Sequence, residues 1–239
     1  MKPSEIKNQL LTDYPYQIEL HAHTKPCSCC SEFLPRELVQ IYAQRGFHGL
    51  VITNHFEPSK LQLGKQGARK ALLQDYEDAR IAAEAYGLRV YLGVEVRFEE
   101  NFNDYLIYGV DESLLETIFD YIPKGVEAFR REVALPNSVF LQAHPFRQNM
   151  TACDPGLLDG IECMNLHPGH NSRVAVATQY AYEKNLKIKT AGTDCHHPGH
   201  QALTAMRVRN MPQSSYELAE ILKSGDYVFQ IGNGSVWLP

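Results

Sequence analysis

No apolar run in the sequence approaches the roughly 20 residues that a bilayer-spanning helix needs, and Met1 to Ile6 lack the apolar core of a secretion signal. A cytoplasmic chain with no membrane partner is therefore expected. Cysteine is sparse. Six cysteines in 239 residues are too few for a disulfide scaffold, and Cys27, Cys29 and Cys30 sit too close together to staple one another, so reduced thiols are expected. Low-complexity blocks are missing too, which excludes disordered and fibrous classes. Positive charge is short: 23 Lys and Arg against 28 Asp and Glu leave a net charge of −5. That balance argues against long nucleic acid as a partner while allowing a local pocket for one phosphate.

Histidine is what the sequence does have, ten in all. The stretch Ile18 to His23 reads as a strand carrying imidazoles at positions i and i+2, so His21 and His23 leave the same face. Two rings converging at a strand's end can share one metal ion. Far down the chain, the apolar run Ile188 to Thr193 ends in a second pair with the same spacing, Asp194 and His196.

Between these pairs the chain alternates. Pro35 to Ala43 has helical spacing with proline at the first position, and Gly49 to Thr53 is continuously apolar, as a buried parallel strand should be. A helix is expected over roughly 68–86, strands over 89–95 and 104–109, helical sequence over 112–132 broken at Pro123, strands over 138–143 and 160–164, and a helix over 172–184. The tail offers an extended segment at 203–208, a helix near 216–223 and a short strand at 227–229. About seven strand–helix units predict an α/β fold in which a parallel sheet closes into a barrel rather than staying open. One domain over 1–239 is expected, with 1–16 as a helical extension packed on it.

The polar residues all fall at one place in this pattern. His21 and His23, His55, Glu95, His144, and Asp194 with His196 each stand at the C-terminal end of a predicted strand, the rim where barrel active sites are built. A lone histidine at a strand end is more often a hydrogen-bonded structural residue than a ligand. Together the odds reverse, because burying so many imidazoles and carboxylates is costly unless they are paired or hold metal. Such ligands suit zinc, manganese or iron, and a carboxylate can bridge two ions. A separate structural zinc is not expected, since Cys153, Cys163 and Cys195 are isolated. His167, His170, His197 and His200 lie in loops containing Pro and Gly and are expected mostly to face solvent, with His197 or His200 near substrate.

The segments His21-Ala22-His23-Thr24, Thr53-Asn54-His55, Gly93-Val94-Glu95, Ala143-His144-Pro145 and Gly192-Thr193-Asp194-Cys195-His196 resemble, in order, the motifs of the PHP (polymerase and histidinol phosphatase) family. The resemblance implies a distorted (β/α)7 TIM-like barrel, two or three divalent ions at the C-terminal rim, and hydrolysis of phosphate esters. It implies that His21, His23, Glu95 and Asp194 hold one ion, that Glu95 and His144 hold a second, and that His55 and His196 help hold a third. Two positions depart from the family pattern. Cys29 stands where many members carry a histidine, and Asp104 where a ligating histidine is common; both are expected as ligands.

Phosphate needs positive charge beyond metal. Arg147, just past His144, offers a bidentate guanidinium above the site, and Arg97 and Lys25 are further candidates. The expected activity is hydrolysis of a small phosphomonoester by a metal-bridged hydroxide, with Asp194, His196 and Arg147 as catalytic residues and His196 or His197 delivering a proton. Alternatives are a nuclease, a C–N hydrolase of the amidohydrolase type, and a non-catalytic metal-binding module.

Overall fold

The computed structural model describes residues 2–232 and 234–239. Helix α1 (Pro3–Asp13) buries none of its residues and leads into β1 (Tyr16–Ala22), whose last five residues are buried. Helix α2 (Pro35–Gln44) begins at a proline, whose missing N–H costs nothing there, and Glu37 accepts the free Leu34 N–H at 2.9 Å. Its apolar stripe of Leu38, Val39 and Tyr42 is buried. The buried β2 (Gly49–Ile52), the two-residue β3 (His55–Phe56) and the long helix α3 (Gly64–Ala83) follow. Next come β4 (Arg89–Arg97), β5 (Asp104–Tyr108), α4 (Glu112–Tyr121) and α5 (Val126–Glu132), the two helices parted by a turn around Pro123 as the sequence predicts. The alternation is completed by β6 (Val139–Gln142), β7 (Gly160–Asn165), α6 (Val174–Glu183) and β8 (Ile188–Gly192). Strand β9 (Thr204–Val208), helix α7 (Ser215–Ser224) and strands β10 (Val228–Ile231) and β11 (Ser235–Trp237) form the tail.

Seven strands curl in the order β1-β2-β4-β5-β6-β7-β8, and the segment after β8 comes back to β1. There the His23 N–H donates to the Cys195 carbonyl at 3.0 Å and the Cys195 N–H to the His21 carbonyl at 3.2 Å. The fold is α/β and TIM-like. Two features differ from a purely parallel barrel. Strand β5 runs antiparallel to both β4 and β6, because the six residues joining β4 to β5 are too few for a parallel crossover. The reversal places Asp104, first residue of β5, opposite Arg97, the last of β4. In addition, β9 pairs antiparallel with Tyr16–Ile18 at the start of β1, and β10 and β11 continue outward from it, so the tail widens the sheet.

Alternation along the strands divides the core. Leu20, Val51, Leu106, Leu141 and Ala191 pack together inside the curl, whereas Val94, Ile107, Phe140 and Ile161 pack outward against α4, α5 and α6. Strand pairing is tightest at Gly160, where an added Cβ would meet the Ile188 carbonyl oxygen at 1.9 Å. Gly160→Ala is expected to force β7 and β8 apart and cost about 1–3 kcal/mol, read as a lowered urea unfolding midpoint.

Candidate metal centre

Strand geometry brings the sequence-predicted residues to one rim. His21 and His23 leave the same face of β1 with ring centroids 5.0 Å apart, and Glu95 stands two residues before the end of β4. His144 and Asp194 each come two residues after the end of a strand, with φ of 29° and 54°. Left-handed backbone is rare for residues with a side chain and concentrates at functional sites, where the surroundings hold it in place.

Glu95 sits at the centre, 1% exposed. Its Oε1 lies 3.1 Å from His144 Nε2 and 3.4 Å from His21 Nε2, while Oε2 lies 2.9 Å from His55 Nδ1 and 3.4 Å from His23 Nε2. Asp194 is divided in the same way. Its Oδ1 faces His196 Nδ1 (3.2 Å), His23 Nε2 (3.4 Å) and His21 Nε2 (3.5 Å), and its Oδ2 accepts from Arg147 Nη2 (2.5 Å) and Asn165 Nδ2 (3.1 Å). Ligand atoms close enough to share an ion form three groups: His21, His23 and Glu95; Glu95, Asp104 and His144; His23, His55 and His196. Within them His21 Nε2, His23 Nε2 and Glu95 Oε2 are buried and make no hydrogen bond among the described residues. Buried polar atoms are almost always satisfied, so a set of orphaned lone pairs aimed at one another fits divalent cations.

The electrostatics agree. Burial opposes charge on Glu95 and Asp194, yet His21 and the other imidazoles hold both carboxylates well below their ordinary range. Burial likewise opposes protonation of His21 and His55, but Glu162 and Glu95 respectively push them well above the usual histidine value. The cluster is a well for positive charge.

Behind it stand carboxylates that the sequence reading passed over. Glu162 on β7 accepts from His21 Nδ1 at 2.8 Å and from the His144 N–H at 3.2 Å, which turns the His21 Nε2 lone pair toward the cluster. Asn165 Nδ2 donates to Glu162 at 2.9 Å. Glu19 accepts from Thr193 N–H (3.0 Å) and Oγ (2.5 Å) and from Tyr42 (2.9 Å), fixing the turn that precedes Asp194; burial raises its carboxyl to about 7. Asp75 on α3 accepts from Thr24, Asn54 and the Cys27 N–H. The signal was present: Glu19 and Glu162 interrupt apolar strands, where a charge must be partnered.

Other predicted residues fall elsewhere. Cys29 and Cys30 are both exposed, and neither joins a ligand group, but Cys30 rather than Cys29 lines the cavity. Burial raises the Cys30 thiol, but hydrogen bonds with His196 and His55 bring it down to about 6. Both oxygens of Asp104 accept from Arg97, each at 2.8 Å, so Arg97 is committed to that carboxylate rather than standing free for phosphate. Lys25 does not line the cavity. His196 belongs to the third ligand group, with Nε2 3.5 Å from His55 Nε2, and His197 pairs with Glu32 at the exposed edge. Neither is placed as a free proton donor. His167, expected to face solvent, is 9% exposed, and burial holds its ring down at about 4.

The ligand groups form the floor of an open cavity of 370 Å³, with Arg147 and His167 on its sides and Phe102, 65% exposed, at its lip. No protein-family model and no curated protein matches the sequence. Solved structures do. A two-domain protein from Bacteroides vulgatus that contains a predicted PHP-like metal-dependent phosphoesterase superposes with a TM-score of 0.62 at 18% identity, over 91% of this chain and 65% of that one. The chain has a PHP-like fold. PsfC from Pseudomonas syringae matches with a TM-score of 0.61 at 13% identity over 91% of this chain and 92% of its own. An amidohydrolase from Chromobacterium violaceum, with bound sulfate and no metal, matches at 0.50 and 16% identity over 85% and 95%. The chain spans about two thirds of the Bacteroides protein.

Glu162→Gln keeps the shape of the side chain but removes the charge that orients His21. Affinity for Zn²⁺ or Mn²⁺, measured by competition with a chromophoric chelator, is expected to fall about 10- to 100-fold; unchanged affinity would show that Glu162 does not set the ring.

Proposed function

We propose that the chain is a metal-dependent phosphoesterase acting on a small phosphomonoester. The observation that carries this reading is Glu95, a fully buried carboxylate shared between two ligand groups, with four imidazoles around its two oxygens. These residues would hold two or three divalent ions, which when bound would supply Lewis acidity toward water and phosphoryl oxygens. The protein's own residues do the rest. Glu95 and Asp194 would be shared ligands, and Glu162 and Asn165 keep His21 and Asp194 from turning. Arg147 neutralises the outer oxygen of Asp194 and keeps a buried Nε–H without a protein partner. Arg147 lines the cavity, where its guanidinium suits an oxygen of the phosphoryl group.

The cavity is of the size used for small ligands, and the acidic chain offers no basic track for a polynucleotide, which favours a monoester over the nuclease alternative. The fold alone admits C–N hydrolysis. Arg147 above the ligand groups favours phosphate. Residence in the cytoplasm remains part of the same proposal; among the described residues no helix is long and apolar enough to cross a membrane.

Asp194→Asn tests the reading. Asparagine tolerates the φ of 54° at this position, so the fold is expected to survive by circular dichroism. Metal content by elemental analysis should fall, and turnover of every phosphomonoester should be lost. Wild-type-like activity in this variant would overturn the assignment. Chelation of the wild-type protein is expected to abolish turnover, and a panel of Zn²⁺, Mn²⁺ and Fe²⁺ to restore it.

A further inference from the structure

His167 belongs to none of the ligand groups, yet the fold holds it with care. Its N–H donates to Asn165 Oδ1 at 3.2 Å, and Asn165 in turn donates to Asp194, so the loop after β7 is tied to the candidate centre. The Gly169 N–H donates to His167 Nδ1 at 3.0 Å. Nδ1 is therefore the unprotonated nitrogen and Nε2 carries the hydrogen. Among the described residues no protein group accepts that Nε2–H, although the ring lines the cavity. His170 and His200 pack on it with centroids 4.5 and 4.7 Å away, and His196 meets it edge-on at 5.7 Å. A buried imidazole fixed in one tautomer with its donor left open is a built recognition group.

We infer that His167 Nε2–H contacts the leaving-group oxygen of the substrate, an inference that rests on the phosphoesterase reading. The ligand groups and Arg147 hold the phosphoryl oxygens at the floor. In-line displacement sends the ester oxygen away from the attacked face, toward the cavity walls. As the P–O bond breaks, its electron pair stays on that oxygen, and the Nε2–H stabilises the growing charge. Water supplies the hydroxyl that joins phosphorus, and its second proton completes the alcohol. His167 transfers no proton of its own. The substrates that need this contact most are esters of poor leaving groups, the phosphates of aliphatic alcohols.

The experiment compares metal-loaded wild type, His167→Ala and His167→Gln on a series of phosphate monoesters running from 4-nitrophenyl phosphate to alkyl phosphates. Metal content and binding of inorganic phosphate are measured in parallel. His167→Ala is expected to lose little with 4-nitrophenyl phosphate and about 100-fold in kcat with alkyl phosphates, with metal content unchanged. His167→Gln, which keeps an N–H, should recover part of the loss. An equal loss across all leaving groups, or metal content falling in step with activity, overturns the inference while leaving the phosphoesterase reading intact. If metal-loaded wild type hydrolyses none of the esters, that reading falls and this one with it. Should the alanine variant not fold, the slope of rate against leaving-group pKa in the glutamine variant decides.

Discussion

One buried carboxylate, Glu95, governs the architecture. A charge at 1% exposure is costly unless it is surrounded by partners, and here His21, His23, His55 and His144 converge on it from three separate parts of the chain. His21 and His23 share the end of β1 while His55 and His144 come from other strand ends, and all must arrive at the same rim. The curl of the sheet, the left-handed turns at His144 and Asp194, and the close approach at Gly192, where an added Cβ would lie 2.3 Å from Glu162 Oε1, serve that convergence. The outer carboxylates Glu19, Glu162 and Asp75 extend the same logic, since each buried ligand needs a buried partner to keep its orientation.

The alternation of strands and helices was legible because continuous apolar runs and helical spacing are local properties. So was the rim, since His21, His55, His144 and Asp194 all follow or close an apolar run. The reversal of β5 escaped because direction is set by loop length and pairing rather than by the residues of the strand. The choice between Cys29 and Cys30 escaped for a similar reason: adjacent residues point in different directions, and only the path of the loop after β1 decides which thiol faces the cavity. Arg97 is the instructive case. Its sequence position beside Glu95 suggested a phosphate contact, whereas the hairpin sets it across from Asp104, and the two charges satisfy each other.

A fold of this kind hosts more than one chemistry, so function is read from the site and not from the fold. What distinguishes this chain is the lining above the ligand groups: Arg147 docked on Asp194, Cys30 beside His55 and His196, and the packed imidazoles of the loops after β7 and β8. Loops of this kind tolerate change in length and composition without disturbing the staves beneath them. Chemistry and specificity are written in separate parts of the sequence.

The seam where the segment after β8 rejoins β1 brings His21 and His23 against Asp194 and His196, residues from opposite ends of the chain. A nascent or partly unfolded chain holding β1 through β7 has the groups built on His21, His23, Glu95, Asp104 and His144 but lacks Asp194 and His196, so the group of His23, His55 and His196 stays incomplete. Ions gripped across this seam would act as a clasp between the first stave and the last, shrinking the conformational freedom of everything in between much as a long-range crosslink does. Folding to the end and completing the last ligand group are in that sense a single event.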